Sequence, residues 1–199
     1  MLHRRLFAAA AALTLSLALV PGALGAIVHV RVEGRTQTLF GATQPRATAS
    51  NALEALDSAS LAGELFYHVT DASFGRYVDQ VGRYGASAQS GWVFKVNGVS
   101  PPVGADQVQL KDGDTVLWYY ATFGPAGGPP TLVLTKTQGR CYQVRKQDDA
   151  GTLTPAVGAT LRVDGRTIRT TAAATGCPTG RHGLVRATLA GAVRSNALP

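Results

Sequence analysis

Residues 27–33 (IVHVRVE) alternate strictly, with Val28, Val30 and Val32 on one face and Ile27, His29 and Arg31 on the other. That is the period of a half-buried strand. Gly34-Arg35 turns the chain, so 36–40 is predicted to return as the second strand of a hairpin. The period then changes. Asn51 with Glu54 three residues on is a capping-box arrangement, and it predicts a helix over 52–61 that buries Ala52, Leu53, Leu56 and Ala59. Period two resumes beyond the helix, predicting strands at 65–69, 77–81, 91–97 and 115–121. Asn97-Gly98 and Asp112-Gly113 supply turns, and 100–104 (SPPVG) is a loop.

The two aromatic strands carry most of the information. In GWVFKVN (91–97), Trp92, Phe94 and Val96 share one face, while Val93, Lys95 and Asn97 share the other. In the later strand Val116, Trp118 and Tyr120 share a face, leaving Leu117, Tyr119 and Ala121 opposite. The bulkier, uncharged set, Trp92, Phe94, Trp118 and Tyr120, is expected to lie under the helix. The complementary face of Val93, Lys95, Leu117 and Tyr119, with Ile27 and His29 beside it, carries less charge than a solvated sheet face should. Three occupants fit that face: a small ligand, a partner protein or a second domain. A ligand pocket there would be closed by the loop at Pro101 and Pro102.

Residues 124–130 (GPAGGPP) are a run of breakers flanked by alternating segments, which predicts a linker. The chain therefore divides into 1–25, a leader; 26–123, a sheet with one helix; 124–130; and 131–199. In the last part short alternating runs at 131–135, 141–144, 159–163, 167–171 and 184–189, with an Asp164-Gly165 turn, predict a small all-β sandwich. The expected class is α+β: one sheet-and-helix domain followed by one β-sandwich.

The leader has a basic head (Arg4, Arg5), an apolar run over 6–20 and small residues before Ala26, the order of a secretory signal peptide. Fifteen apolar residues fall short of the roughly 20 needed to span a bilayer. The protein is thus expected to be exported, to the extracellular space or the cell envelope, with no transmembrane segment after cleavage. Cys141 and Cys177, in an oxidising compartment, are expected to form a disulfide that staples the small second domain.

The formal charge of +7 is uneven: residues 26–125 hold seven basic against nine acidic side chains, and 126–199 hold ten against three. The basic half suits an anionic cell-wall polymer or an envelope protein as partner. Nothing in the chain has a nucleic-acid-binding motif.

The runs SGWVFKVNG (90–98) and LKDGDTVLWYY (110–120), together with the valine-rich first strand, resemble transcobalamin C-terminal-like domains of bacterial secreted proteins. The resemblance covers about 26–123 and implies a β-grasp fold. In cobalamin carriers the related domain closes over a corrin held by a larger helical domain, which this sequence lacks, so no cofactor is expected and cobalamin enters through the resemblance alone. GATLRVDGRTIRT (158–170) and RSNAL (194–198) are similar, more weakly, to immunoglobulin-like or prealbumin-like repeats of exported proteins.

Catalytic and metal motifs do not appear. His29, His68 and His182 lack metal-ligand spacing, Ser87 and Ser90 lack a nucleophile elbow, and Asp112 with Asp114 lacks the longer acidic loop of a calcium site. The function expected is a non-enzymatic binding module with candidate contact residues Val93, Lys95, Leu117, Tyr119, Pro101 and Pro102. The alternative is a cell-surface structural or adhesion protein with no small-molecule ligand.

Overall fold

The computed structural model describes residues 25–73, 75–125 and 127–199. Apart from Gly25, the leader expected over 1–25 lies outside the described residues, as does Ala126 of the breaker run. The N-terminal half contains β1 (Ala26–Glu33), β2 (Thr38–Phe40), β3 (Arg46–Ala49), α1 (Ala52–Gly63), β4 (Tyr67–Ala72), β5 (Gly75–Val81), β6 (Tyr84–Gly85), β7 (Ser90–Val96), a 3-10 turn at Ala105–Gln107 and β8 (Thr115–Thr122). The C-terminal half contains β9 (Thr131–Lys136), β10 (Tyr142–Gln147), β11 (Leu153–Pro155), β12 (Thr160–Val163), β13 (Arg166–Arg169), β14 (Thr175–Gly176), β15 (Val185–Thr188) and β16 (Ala197–Leu198).

The α+β class expected from the sequence, a β-grasp domain plus a sandwich, is overturned. Among the described residues sixteen strands stand beside one α-helix of 12 residues, so the chain is mostly β with several sheets. Period-two alternation runs through both halves, whereas helical period is confined to one segment. One short helix can cover part of one sheet face, and the remaining apolar surface is covered by other strands.

The principal sheet runs β2-β1-β8-β7, with β3 also pairing β1. Its centre is parallel: β1 and β8 align Val30 with Val116 and Val32 with Trp118. Helix α1 lies across this sheet and buries Ala52, Leu53, Ala55, Leu56, Ala59 and Ser60. Its start is fixed by side chains: the Glu54 N–H donates to Asn51 Oδ1 at 2.9 Å, and the Ser50 N–H donates to Glu54 Oε2 at 2.8 Å. Hairpin β4-β5 with β6 forms a second small sheet beside β7, contributing Val78 and Val81 to the core under the helix.

Strand β7 is an edge. Its ends are closed by short bridges, Ser87 to Ser90 and Val96 to Val99. The second follows from Asn97 (φ 52) and Gly98 (φ 84), two left-handed residues in succession, which is the backbone of a tight hairpin turn.

The C-terminal half is two four-stranded sheets, β11-β10-β14 with β9 on β10, and β13-β12-β15-β16. Leu132, Leu134, Tyr142 and Val144 from the first meet Leu161, Val163, Val185 and Ala187 from the second in one core. The expected disulfide is present: Cys141 and Cys177 are bonded, with Cα atoms 4.1 Å apart. Register explains it, since Tyr142 opposes Gly176 and the cysteines are the next opposed pair.

Candidate functional site

Opposite pairs across β7 and β8 are Val93 with Tyr119 and Lys95 with Leu117, so these four residues share one face. The other face carries Trp92 and Trp118, each 2% exposed, in the core beneath the helix, with Phe94 and Tyr120 partly buried against it. Each indole is held by a hydrogen bond, Trp92 Nε1 to Tyr84 O at 2.7 Å and Trp118 Nε1 to Ala52 O at 3.0 Å. Phe94 stacks on Trp118 at 5.0 Å, and Trp92 meets Tyr120 edge-on at 5.7 Å.

The face of Val93, Lys95, Leu117 and Tyr119 is divided. One part is filled by the C-terminal half. Leu117, Tyr119 and Ala121 form a small cluster with Val193, and Val93 packs against it. Lys95, 1% exposed, reaches across and donates to Asp148 O at 2.7 Å, Gln147 O at 3.2 Å and Thr131 Oγ1 at 3.4 Å, with Asp149 Oδ1 at 3.3 Å. Burial lowers the Lys95 pKa, and Asp149 and Asp148 oppose that shift.

The other part opens into a cavity of about 410 Å³ beside the edge of β7. Its walls come from four places. Strands β7 and β8 give Trp92, Val93, Phe94, Trp118 and Tyr119; β5 gives Arg76, Tyr77 and Val78; the loop after β7 gives Ser100, Pro101, Pro102 and Val103; Phe123 and Asp149 complete the rim. An edge strand explains why residues of both faces contribute, since nothing pairs beyond β7 to separate them.

Polar groups in this cavity are few. Ser100 Oγ donates to Asp149 Oδ1 at 3.1 Å, and the Ser100 N–H donates to Asp149 O at 2.9 Å, fixing the loop to the C-terminal half. Burial pushes the Tyr119 pKa up, and the neighbouring Asp149 charge adds to the shift. Lys95 Nζ lies 6.0 Å from the Tyr119 ring centroid.

Of the six candidate contact residues, Val93, Tyr119, Pro101 and Pro102 line this cavity. Lys95 and Leu117 line a second, polar cavity between the two halves. Sequence reasoning missed Arg76, Tyr77, Val103, Phe123 and Asp149 as wall residues. Arg76, Tyr77 and Asp149 stand on other segments than the aromatic strands; Phe123, the residue after β8, and Val103, in the SPPVG loop beside Pro101 and Pro102, were within its reach. Trp92, Phe94 and Trp118 were read as core alone, and they are both core and back wall.

Among the described residues no group of three or more His, Cys, Asp or Glu could hold a metal ion, and no helix is long and apolar enough to cross a membrane. No curated protein matches the chain. A crystal structure of a Ruminococcus gnavus ATCC 29149 protein, provisionally named as metal binding, aligns with 50% of this chain and 99% of its own at 19% identity and a TM-score of 0.37. A likeness of that size carries no argument about ligand. Residues 49–122, from the end of β3 to the end of β8, match the family described as a domain of unknown function (DUF4430), a segment that holds most of the cavity wall.

Proposed function

We propose that the chain is an exported, non-enzymatic binding module whose ligand seat is the cavity beside β7. The observation that carries this reading is the lining. About 410 Å³ of space is lined mainly by aromatic, proline and valine side chains, with Arg76, Ser100, Asp149 and the phenols of Tyr77 and Tyr119 as the charged or hydroxyl groups. That is the size and composition of a site that binds a small apolar or aromatic molecule and orients it with a few polar contacts. Ser100 is engaged with a carboxylate and has no imidazole beside it among the described residues, which suits recognition better than acyl transfer. The disulfide supports export to an oxidising compartment. The resemblance of residues 26–123 to transcobalamin C-terminal-like domains fits the same reading, with cobalamin as a ligand only if another domain supplies most of its contacts.

The adhesion reading draws on a different observation: the Lys95 and Leu117 side of the face is already filled by the C-terminal half. It predicts no saturable small-molecule binding.

Both tryptophans of the sequence stand in the cavity wall, so intrinsic fluorescence reports on it directly. Titration with the apolar dye 1-anilinonaphthalene-8-sulfonate is expected to quench tryptophan emission saturably. Val103→Asp, at an exposed rim position, is expected to abolish the effect. A linear, unsaturable response, or a V103D protein that responds like the parent, would sink the proposal. Calorimetry with cobalamin is expected to show no sub-micromolar site on the protein alone.

A further inference from the structure

A second cavity, of about 280 Å³, lies where β1, β7 and β8 face β9 and β10. Its wall contains two cations, Arg31 and Lys95, with the carboxamides of Gln44, Asn97, Gln147 and Asn196 and the hydroxyls of Thr115 and Thr131. No carboxylate lines it. Both cations are withdrawn from bulk water, Arg31 at 3% and Lys95 at 1% exposure.

The charge around Arg31 is unbalanced. Arg31, Arg186 and Arg194 surround the single carboxylate of Glu33, which is fully buried. Glu33 is taken mainly by Arg194, whose Nε donates to Oε2 at 3.0 Å, and by Thr38, while Arg31 Nη1 stands 3.6 Å from Oε1. Arg31 Nη1 donates to Arg194 O at 3.1 Å, but Arg31 Nε and Arg186 Nη2 are buried with no hydrogen-bond partner among the described residues. Burial pushes the Arg31 pKa down to about 10; Glu33 opposes this, and Arg186 and Arg194 add to it. Both nitrogens are closed to solvent and Arg186 lies outside the cavity wall, so they mark an excess of positive charge behind that wall, which an anion seated in the cavity would offset.

We propose that this cavity between the two halves is a binding site for a small oxyanion, with Arg31 as its principal charged group and Lys95 beside it on the same sheet face, both opposing Leu117. Lys95 has its donors committed to the β10 end and Thr131 and its charge is paired with Asp149 at 3.3 Å, so the excess positive charge of the site comes from the Arg31 side. Arg31 presents a planar fork of N–H groups that suits tetrahedral or carboxylate oxygens. Inorganic phosphate and a phosphomonoester share the chemistry, and 280 Å³ leaves room for either. The site is separate from the apolar cavity, so either can fail alone.

The test is thermal denaturation and calorimetry of the full disulfide-bonded protein at constant ionic strength, with sodium chloride replaced by inorganic phosphate or by glycerol 3-phosphate. A saturable rise in melting temperature of roughly 3 °C over chloride is expected, because an anion bound only to the folded state stabilises it by mass action. Equal stabilisation by both compounds assigns the site to phosphoryl oxygens in general, and stabilisation by inorganic phosphate alone assigns it to the free ion. Arg31→Lys keeps the charge and removes the fork, and should weaken binding roughly tenfold. Thr115→Val keeps the β-branched shape on β8 and should weaken it severalfold, which holds the test open if the Arg31 variant does not fold. Phosphate that acts no differently from chloride, or a T115V protein that binds like the parent, overturns the proposal.

Discussion

Gly91 lies under the Tyr77 hydroxyl, so a β-carbon at that position would collide with it. Gly91→Ala is therefore expected to displace the Tyr77 ring at the cavity wall, costing roughly 1 kcal/mol by overpacking. Urea denaturation measures the loss, and tryptophan emission should shift with it. Tyr119 makes a pH-dependent contribution. Its folded pKa lies above the ordinary value of 10.0, chiefly because of burial. The unfolded chain thus releases this proton first as pH rises, so the stabilisation is complete below pH 10 and is lost progressively above it. Tyr119→Phe should flatten that alkaline fall in a series of denaturation curves, and an unchanged slope would remove Tyr119 as its cause. Lys95 is different in kind: replacing it with Met leaves Asp148 O and Gln147 O without their donor between the two halves, at a cost of roughly 2 kcal/mol. Nothing in GWVFKVN announces this role. Alternation placed Lys95 with Val93, but its hydrogen-bond partners are 36 to 53 positions away in the chain.

At the level of elements, the sequence was most informative where local chemistry dominates. The helix starts at Ala52 because Asn51 and Glu54 cap it, and it runs to Gly63 rather than 61 because Glu64 takes the left-handed cap conformation. Asn51→Ala should cost about 1 kcal/mol of stability. Strand β2 begins at Thr38 rather than 36 because the Gly34 N–H donates to Gln37 O and widens the turn. Strands β3, β6, β11 and β14 have no counterpart in the alternation, and β16 was implied only by the resemblance of RSNAL (194–198) to a closing strand. Each is two to four residues long, too short for alternation to register, and each is defined by the strand it pairs with. The disulfide matters most for β14, whose pairing with β10 has two residue pairs. Closing a loop of sequence separation 36 is worth roughly 3–4 kcal/mol. Thiol titration of the unfolded, unreduced protein should find none, and a Cys141→Ala, Cys177→Ala protein should lose about that stability.

For the whole molecule, the two halves meet through a mixed seam. Leu117 and Tyr119 pack on Val193, Arg194 binds Glu33, Lys95 caps the end of β10, and the Ala197 N–H donates to Ala42 O at 2.8 Å. This coupling predicts one cooperative calorimetric transition. Glu33→Gln removes the carboxylate that three guanidinium groups share, so it should destabilise by roughly 3 kcal/mol and separate the transition into two. A single transition at the parent temperature would show that the seam contributes little. The sequence left a second domain as one of three occupants of the Leu117 and Tyr119 face, which the C-terminal half partly fills, but the polar partners of the seam were not legible, because breaker residues at 124–130 mark a boundary without saying how its sides pack. The edge of β7 carries a last consequence. An open strand edge invites another chain to add its own strand and so to polymerise. Here the bridges at Ser90 and Val96 use the outward backbone groups at both ends, and the proline loop stands over the middle. The strand that walls the apolar cavity is thereby guarded against association between copies, which leaves room for a ligand but not for a second sheet.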